Sequence, residues 1–183
     1  GIDMTNIVIL IIEDKDEEAQ IAQMAVKNHF RIPLDEDGSY LGLEVAKEKL
    51  GYPDWRIHKV SDDVVSIMTA KDLSEAKKGF ERIFGTEKVS GFSTVFPKVG
   101  VITDLMFPGG PSRSVQANGI EIILMAIEHK IPVVVCSDTD HHDVGFVPKL
   151  ATILAPLHPA GKIPVILDKK NWVQAVNEVM AML

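Results

Sequence analysis

The stretch that decides the fold is Val99-Gly100-Val101-Ile102-Thr103-Asp104, which is followed at once by Leu105-Met106-Phe107-Pro108-Gly109-Gly110. The first five residues form an apolar run of strand length, and Asp104 ends it before a turn rich in proline and glycine. A carboxylate at the end of a buried strand, followed by such a loop, lies where open α/β sheets bind ligands. Asp104 is therefore the first candidate for a functional residue.

Four more apolar runs of strand length alternate with helical patterns along the chain. The predicted strands cover residues 7–12, 64–69, 99–103, 131–136 and 163–167, and the main predicted helices cover 16–29, 73–84, 119–128 and 171–182. One side of the first helix is marked by Ile21, Met24, Ala25 and Asn28, and the predicted N-cap of the last helix is Asn171. This alternation favours a mostly parallel sheet with helices on both faces.

Composition and charge limit the classes of protein to which the chain can belong. With 183 residues, of which 46% are apolar, the chain is expected to form one globular domain over residues 4–183. Residues 30–63, with a predicted helix at 41–50, and the polar loop 108–118 are interpreted as insertions into it. A net charge of −7 argues against nucleic acid as a partner, and no apolar run is long enough for a membrane span. The single cysteine, Cys136, is predicted to be a core residue of a cytoplasmic protein.

A pair of acidic residues, Glu13 and Asp14, follows the apolar run at residues 6–12. If that strand neighbours the one that ends at Asp104, three carboxylates converge on one edge of the sheet. Such a cluster is costly unless a cation lies within it or one carboxylate takes up a proton. The pattern therefore indicates chemistry at this edge.

Four elements, in order, resemble the receiver domain of two-component response regulators. Ile11-Ile12-Glu13-Asp14 is similar to the acidic pair that ends the family's first strand. Thr103-Asp104-Leu105-Met106-Phe107-Pro108 matches its phosphoacceptor aspartate with a proline four residues on. Val133-Val134-Val135-Cys136-Ser137 and Ile166-Leu167-Asp168-Lys169-Lys170 resemble the ends of its fourth and fifth strands. The resemblance implies a flavodoxin-like, doubly wound α/β fold with five parallel strands in the order 2-1-3-4-5.

The resemblance also implies a site and a function. A Mg²⁺ ion would be held by three carboxylates and one backbone carbonyl, from Glu13, Asp14, Asp104 and Met106. Asp104 would attack phosphorus as a nucleophile, while Ser137 and Lys169 contact phosphoryl oxygens. The phosphoryl group would come from a histidine kinase or a phosphotransfer protein, and the signal would pass to a further protein. We therefore expect a stand-alone phosphoacceptor rather than an enzyme.

Two departures from the family pattern keep alternatives open. Asp138 follows Ser137 where the family prefers a small residue, and Lys170 rather than a proline follows Lys169. Both favour a pseudo-receiver, a binding module that keeps the fold and no longer takes phosphate. A third hypothesis is a Mg²⁺-dependent phosphohydrolase, in which Asp104 acts together with the histidine-bearing segment 138–143.

Overall fold

The apolar runs of the sequence form the strands of one sheet. In the computed structural model the described residues are 6–40, 51–85, 98–138, 146–167 and 170–183. The strands are β1 (Asn6–Ile12), β2 (Ser39–Tyr40), β3 (Asp54–Val60), β4 (Asp63–Ala70), β5 (Lys98–Thr103), β6 (Phe107–Pro108), β7 (Val115–Gln116), β8 (Val133–Cys136) and β9 (Val165–Ile166). The helices are α1 (Asp16–Phe30), α2 (Leu73–Phe84), α3 (Gly119–Glu128), α4 (Phe146–Leu154) and α5 (Trp172–Ala181).

Within the described ranges the main sheet has seven strands, in the order β2-β3-β4-β1-β5-β8-β9. The strands β4, β1, β5, β8 and β9 run parallel, while β3 is antiparallel to β4 and β2 to β3. Counted along the chain, the five parallel strands lie in the spatial order second, first, third, fourth, fifth. The mostly parallel α/β sheet is therefore confirmed, but the expected number of five strands is wrong.

The two additional strands come from the segment interpreted as an insertion. β3 pairs with β4 along its whole length, and the two are joined by a tight turn at Ser61, whose φ of 54° is left-handed. Only two residues of β3 are buried, Trp55 and His58, and because they are three positions apart they lie on opposite faces of the strand. Charged residues on both faces interrupt the apolar run that marks the parallel strands, so the strand was missed. The predicted helix at 41–50 lies outside the described residues.

Helices cover the two faces of the sheet, as expected for strands that are apolar throughout. On one face α1 and α5 pack over alternate residues of β1, such as Ile9 and Ile11. On the other face α2, α3 and α4 pack over Leu10 and Ile12. The interiors of β1, β5 and β8 are consequently buried from both sides, which fixes the strand ends where the candidate site lies. Within the described ranges, no helix combines the length and apolar character needed to cross a membrane.

The buried side of α1 differs from the predicted side. Ile21 and Met24 are 44% and 40% exposed, whereas the buried residues are Ala19, Ala22, Ala25 and Val26. Three alanines carry little hydrophobic signal, but their small side chains let the helix backbone lie close to the sheet. The prediction from the larger apolar residues was therefore wrong on this helix, apart from Ala25.

Three further elements bear on the predictions. Asn171 caps α5 as predicted, because its side chain accepts a hydrogen bond from Gln174 N–H at 3.1 Å. Helix α4, between β8 and β9, was not predicted. The polar loop 108–118 holds a small hairpin, in which Phe107 pairs with Gln116 and Pro108 with Val115.

Candidate functional site

The candidate site lies where β1 and β5 end side by side. The sheet pairing continues one residue past each strand, because Glu13 N–H donates to the Ala70 carbonyl and Asp104 N–H to the Ile12 carbonyl, both at 2.9 Å. Glu13 and Asp104 are 1% and 2% exposed. Two carboxyl groups are therefore buried together by the ordinary geometry of adjacent parallel strands.

The third acidic residue joins this pair from the start of the following turn. One carboxylate oxygen from each of Glu13, Asp14 and Asp104 lies within 4.8 Å of the other two. Asp14 is half-buried, whereas the other two are buried. The convergence of three carboxylates expected from the strand ends is thus present, with Asp14 on its solvent side, and these are the residues that could hold a cation.

A backbone donor and a side-chain donor hold one oxygen of the Asp104 carboxylate. Its Oδ1 accepts hydrogen bonds from Leu105 N–H at 2.7 Å and from the Ser137 hydroxyl at 2.8 Å. Ser137 is fully buried at the end of β8, the strand next to β5. Its predicted place beside Asp104 is therefore what the structure shows. The Thr103 hydroxyl donates to the Asp104 carbonyl at 2.7 Å and fixes the backbone of the same residue.

The lysine at the site is Lys170. Its Nζ lies 2.9 Å from Glu13 Oε2 and 3.2 Å from Asp104 Oδ2, and the residue is 6% exposed. Lys170 has a left-handed backbone with a φ of 44°, directly before the N-cap of α5. The lysine favoured by the sequence, Lys169, lies outside the described residues, so its role stays a prediction.

The last predicted ligand is the backbone carbonyl of Met106. Met106 lies in the loop between β5 and β6, and its half-buried side chain packs against the core on the α2–α3 side of the sheet. Contact of its carbonyl with a cation stays a prediction.

Burial and charge together set the protonation of the cluster. Burial and the neighbouring Asp104 raise the pKa of Glu13 to about 7, and they outweigh the lowering effect of Lys170. Burial lowers the pKa of Lys170, but the charges of Asp104 and Glu13 outweigh it and the pKa is raised, so the ammonium stays charged. With all groups ionised, three carboxylates and one ammonium leave a net charge of −2. A divalent cation, or proton uptake by Glu13, would relieve that excess.

Cys136 lies close to this cluster but takes no part in its chemistry. The residue is fully buried near the end of β8. Burial, together with the charge of Asp104, raises the pKa of its thiol to about 12. The thiol is therefore protonated at neutral pH and unreactive as a nucleophile, as expected of a core residue.

Two contacts of the site were missed by the sequence reasoning. The Leu105 N–H that donates to Asp104 carries no side-chain signal, because any residue other than proline supplies it. Lys170 was visible only as the second of two adjacent lysines. A shift of one residue in the turn before α5 decides which lysine faces the carboxylates, and strand patterns do not resolve that shift.

Gly119, at the start of α3, packs directly on the site loop. Its N–H donates to the Leu105 carbonyl at 2.9 Å, and an added Cβ would lie 2.5 Å from the Asp104 carbonyl oxygen. Gly119→Ala should therefore lower the free energy of unfolding by about 2 kcal/mol, because backbone must move to relieve the overlap. Urea denaturation measures the loss. Gly109→Ala is the matched control, since the added Cβ would come no closer than 3.8 Å to another residue. Equal stability of the two variants would contradict this packing.

Comparisons with known proteins leave the family open. No protein-family model matches the chain, and no curated protein does so either. Among solved structures, the chain is similar to translation elongation factor SelB from Methanococcus maripaludis, in complex with the GTP analogue GppNHp. The identity is 12% and the TM-score 0.42, over 100% of this chain and 34% of that one. The chain therefore spans about a third of the length of that elongation factor.

Proposed function

We propose that the chain is a flavodoxin-like receiver domain in which Asp104 accepts a phosphoryl group from a histidine kinase or a phosphotransfer protein. The observation that carries the proposal is the buried Asp104 carboxylate, held by Ser137 and Lys170 beside two further acids. The spatial order of the five parallel strands supports the flavodoxin-like assignment. Incubation with acetyl phosphate, followed by intact mass, tests the proposal.

The acidic cluster fits the Mg²⁺ ion that the resemblance implies. Glu13, Asp14 and Asp104 offer carboxylate oxygens, which are the ligands that this hard cation prefers. A dication would also balance the net charge of −2 that remains after Lys170 is counted. When bound, the ion would offset the negative charge on the incoming phosphoryl group.

The residues of the chain define the transfer step. Asp104 Oδ1 already accepts two hydrogen bonds, whereas among the described residues Oδ2 accepts one, from the Lys170 ammonium, and is therefore the more available nucleophile. A bond forms between this oxygen and phosphorus as the phosphorus–nitrogen bond of a donor phosphohistidine breaks, and the imidazole nitrogen keeps the electron pair. After the transfer, the Lys170 ammonium can pair with a negatively charged phosphoryl oxygen instead of the carboxylate, while the Ser137 hydroxyl donates a hydrogen bond to another phosphoryl oxygen.

One observation favours a second candidate, the pseudo-receiver. The Lys170 ammonium lies between Glu13 and Asp104 and contacts both. It therefore acts as an internal cation that partly neutralises the acidic pair without a metal. A domain stabilised in this way could keep the fold as a module that binds other proteins without phosphorylation. Failure to take up phosphate by a folded protein would select this function.

Mg²⁺ binding should tighten as the pH rises from about 6 to about 8, because Glu13 must lose its proton before it can ligate the ion. The pKa of Glu13 is raised to about 7, first by burial and then by Asp104. The carboxyl group is thus mostly protonated below that pH and mostly ionised above it. Calorimetric titration in two buffers of different ionisation enthalpy should show proton release on binding that declines across this range. Glu13→Gln should remove the dependence, and constant proton release in the wild type would contradict the assignment.

A further inference from the structure

A cleft lies next to the loop that follows Asp104, between the β6–β7 hairpin and the start of α2. Its volume is about 680 Å³, and its lining includes Ser74, Gly109, Gly110, Arg113 and Gln116. The lining is mostly polar and uncharged, unlike the acidic cluster around Asp104. The proposed phosphorylation of Asp104 makes no use of this cleft.

Hydrogen bonds hold the walls of the cleft in place. Ser74 N–H, in the first turn of α2, donates to the Gly109 carbonyl at 3.1 Å and ties the hairpin to the helix. Arg113 N–H donates to the Gly110 carbonyl at 3.2 Å and closes the hairpin turn. At the base, the Asn118 side-chain amide donates to the Phe107 carbonyl at 2.7 Å. These hydrogen bonds fix the backbone of residues 108–118, which form one wall of the cleft.

In the described part of the lining, Arg113 is a cation without a counter-charge. An added Cβ at Gly109 or Gly110 would lie 3.8 Å from Arg113 Cδ, so the arginine side chain lies close to both glycines. Among the described residues, no carboxylate pairs with the Arg113 guanidinium. The acidic residue of the lining, Glu121, is paired with Lys77 at 2.8 Å. On a chain of net charge −7, this leaves a local site for a negative group.

We infer that this cleft binds a small molecule through an oxyanion group, a phosphate or a carboxylate. A guanidinium can donate two parallel hydrogen bonds to either group. The two glycines leave room for the ligand to approach the backbone, and the Ser74 hydroxyl and the Gln116 amide can bond to the rest of it. The inference does not depend on phosphorylation, since none of these residues belongs to the Asp104 site.

Amide chemical shifts of ¹⁵N-labelled protein test the inference. The probes are inorganic phosphate and succinate, added separately without Mg²⁺ and at constant ionic strength. Arg113→Gln removes the cation, and Arg31→Gln is the matched control, because Arg31 is an exposed arginine at the far end of α1. We expect saturable shifts confined to the hairpin and the start of α2, with affinity at least about tenfold weaker in Arg113→Gln, the loss of a charge-assisted bidentate contact.

The probes distinguish the two sources of the oxyanion. Saturation by phosphate alone would identify a phosphate ligand, and saturation by succinate alone a carboxylate. Shifts that are unsaturable, spread over the surface, or equal in Arg113→Gln and the wild type would overturn the inference. Because Mg²⁺ is left out, the result is independent of whether Asp104 can be phosphorylated.

Discussion

Incubation with acetyl phosphate and Mg²⁺ should add the mass of one phosphoryl group to the wild-type protein, and Asp104→Asn should abolish the gain. The amide keeps the shape of the side chain and can still accept hydrogen bonds from Leu105 and Ser137. It is, however, a far weaker nucleophile than the carboxylate, and it offers a cation no charge. Intact mass measured with and without Mg²⁺ reads the reaction directly.

Asp62→Asn is the matched control for that experiment. Asp62 is exposed in the turn between β3 and β4, outside the acidic cluster. The control variant should be phosphorylated as readily as the wild type. A phosphoryl gain that persists in Asp104→Asn would place the acceptor elsewhere and refute the proposed role. A folded wild type that gains no mass and forms no beryllofluoride complex would favour the pseudo-receiver.

The parallel strands and the acidic cluster could be read from the sequence for the same reason. A strand buried on both faces is apolar throughout, so its end is marked by the first charged residue, here Glu13 or Asp104. Adjacent parallel strands then bring these residues together without any further information. Strand β3 lacks that signal, because most of its residues are partly or fully exposed, charged residues interrupt its apolar ones, and it lies toward the sheet edge.

The sequence was least informative where small residues or turns decide the structure. Alanines rather than Ile21 and Met24 form the buried side of α1, so its larger apolar residues indicated the wrong side. The lysine of the site depends on the left-handed backbone of Lys170, which lysine does not favour and which no residue type in that turn predicts. The choice between two adjacent lysines was therefore open in the sequence, and the contact with Glu13 and Asp104 is what assigns Lys170 to the site.

Lys170→Met should have the largest effect on stability of the substitutions proposed for this chain. Removal of one partner from a buried ion pair typically costs about 3–5 kcal/mol, because the remaining charge is buried without compensation. In the wild type the Lys170 ammonium lies 2.9 Å from Glu13 Oε2 and 3.2 Å from Asp104 Oδ2. Its loss would leave the two carboxyl groups facing each other without this positive charge. Urea denaturation at about pH 8 measures the change in the free energy of unfolding. Lys149→Met, at an exposed lysine of α4, is the control, and it should change that free energy by less than about 0.5 kcal/mol.

The pH dependence of the Lys170→Met variant gives the sharper test. In the folded wild type the pKa of Glu13 is already raised to about 7 by burial and by Asp104, and loss of the ammonium removes the hydrogen bond and the charge of Lys170, which both lower it. A carboxyl group with a raised folded pKa binds more protons in the folded than in the unfolded state, so stability falls as the pH rises between its unfolded and folded pKa values. The destabilisation should therefore be smaller at about pH 6 than at about pH 8, and Mg²⁺ should reduce it at the higher pH by supplying the missing positive charge. If the loss of stability in Lys170→Met depended on neither pH nor Mg²⁺, Lys170 would contribute packing rather than charge. If Lys169→Met lost more stability than Lys170→Met, Lys169 would be the lysine of the site.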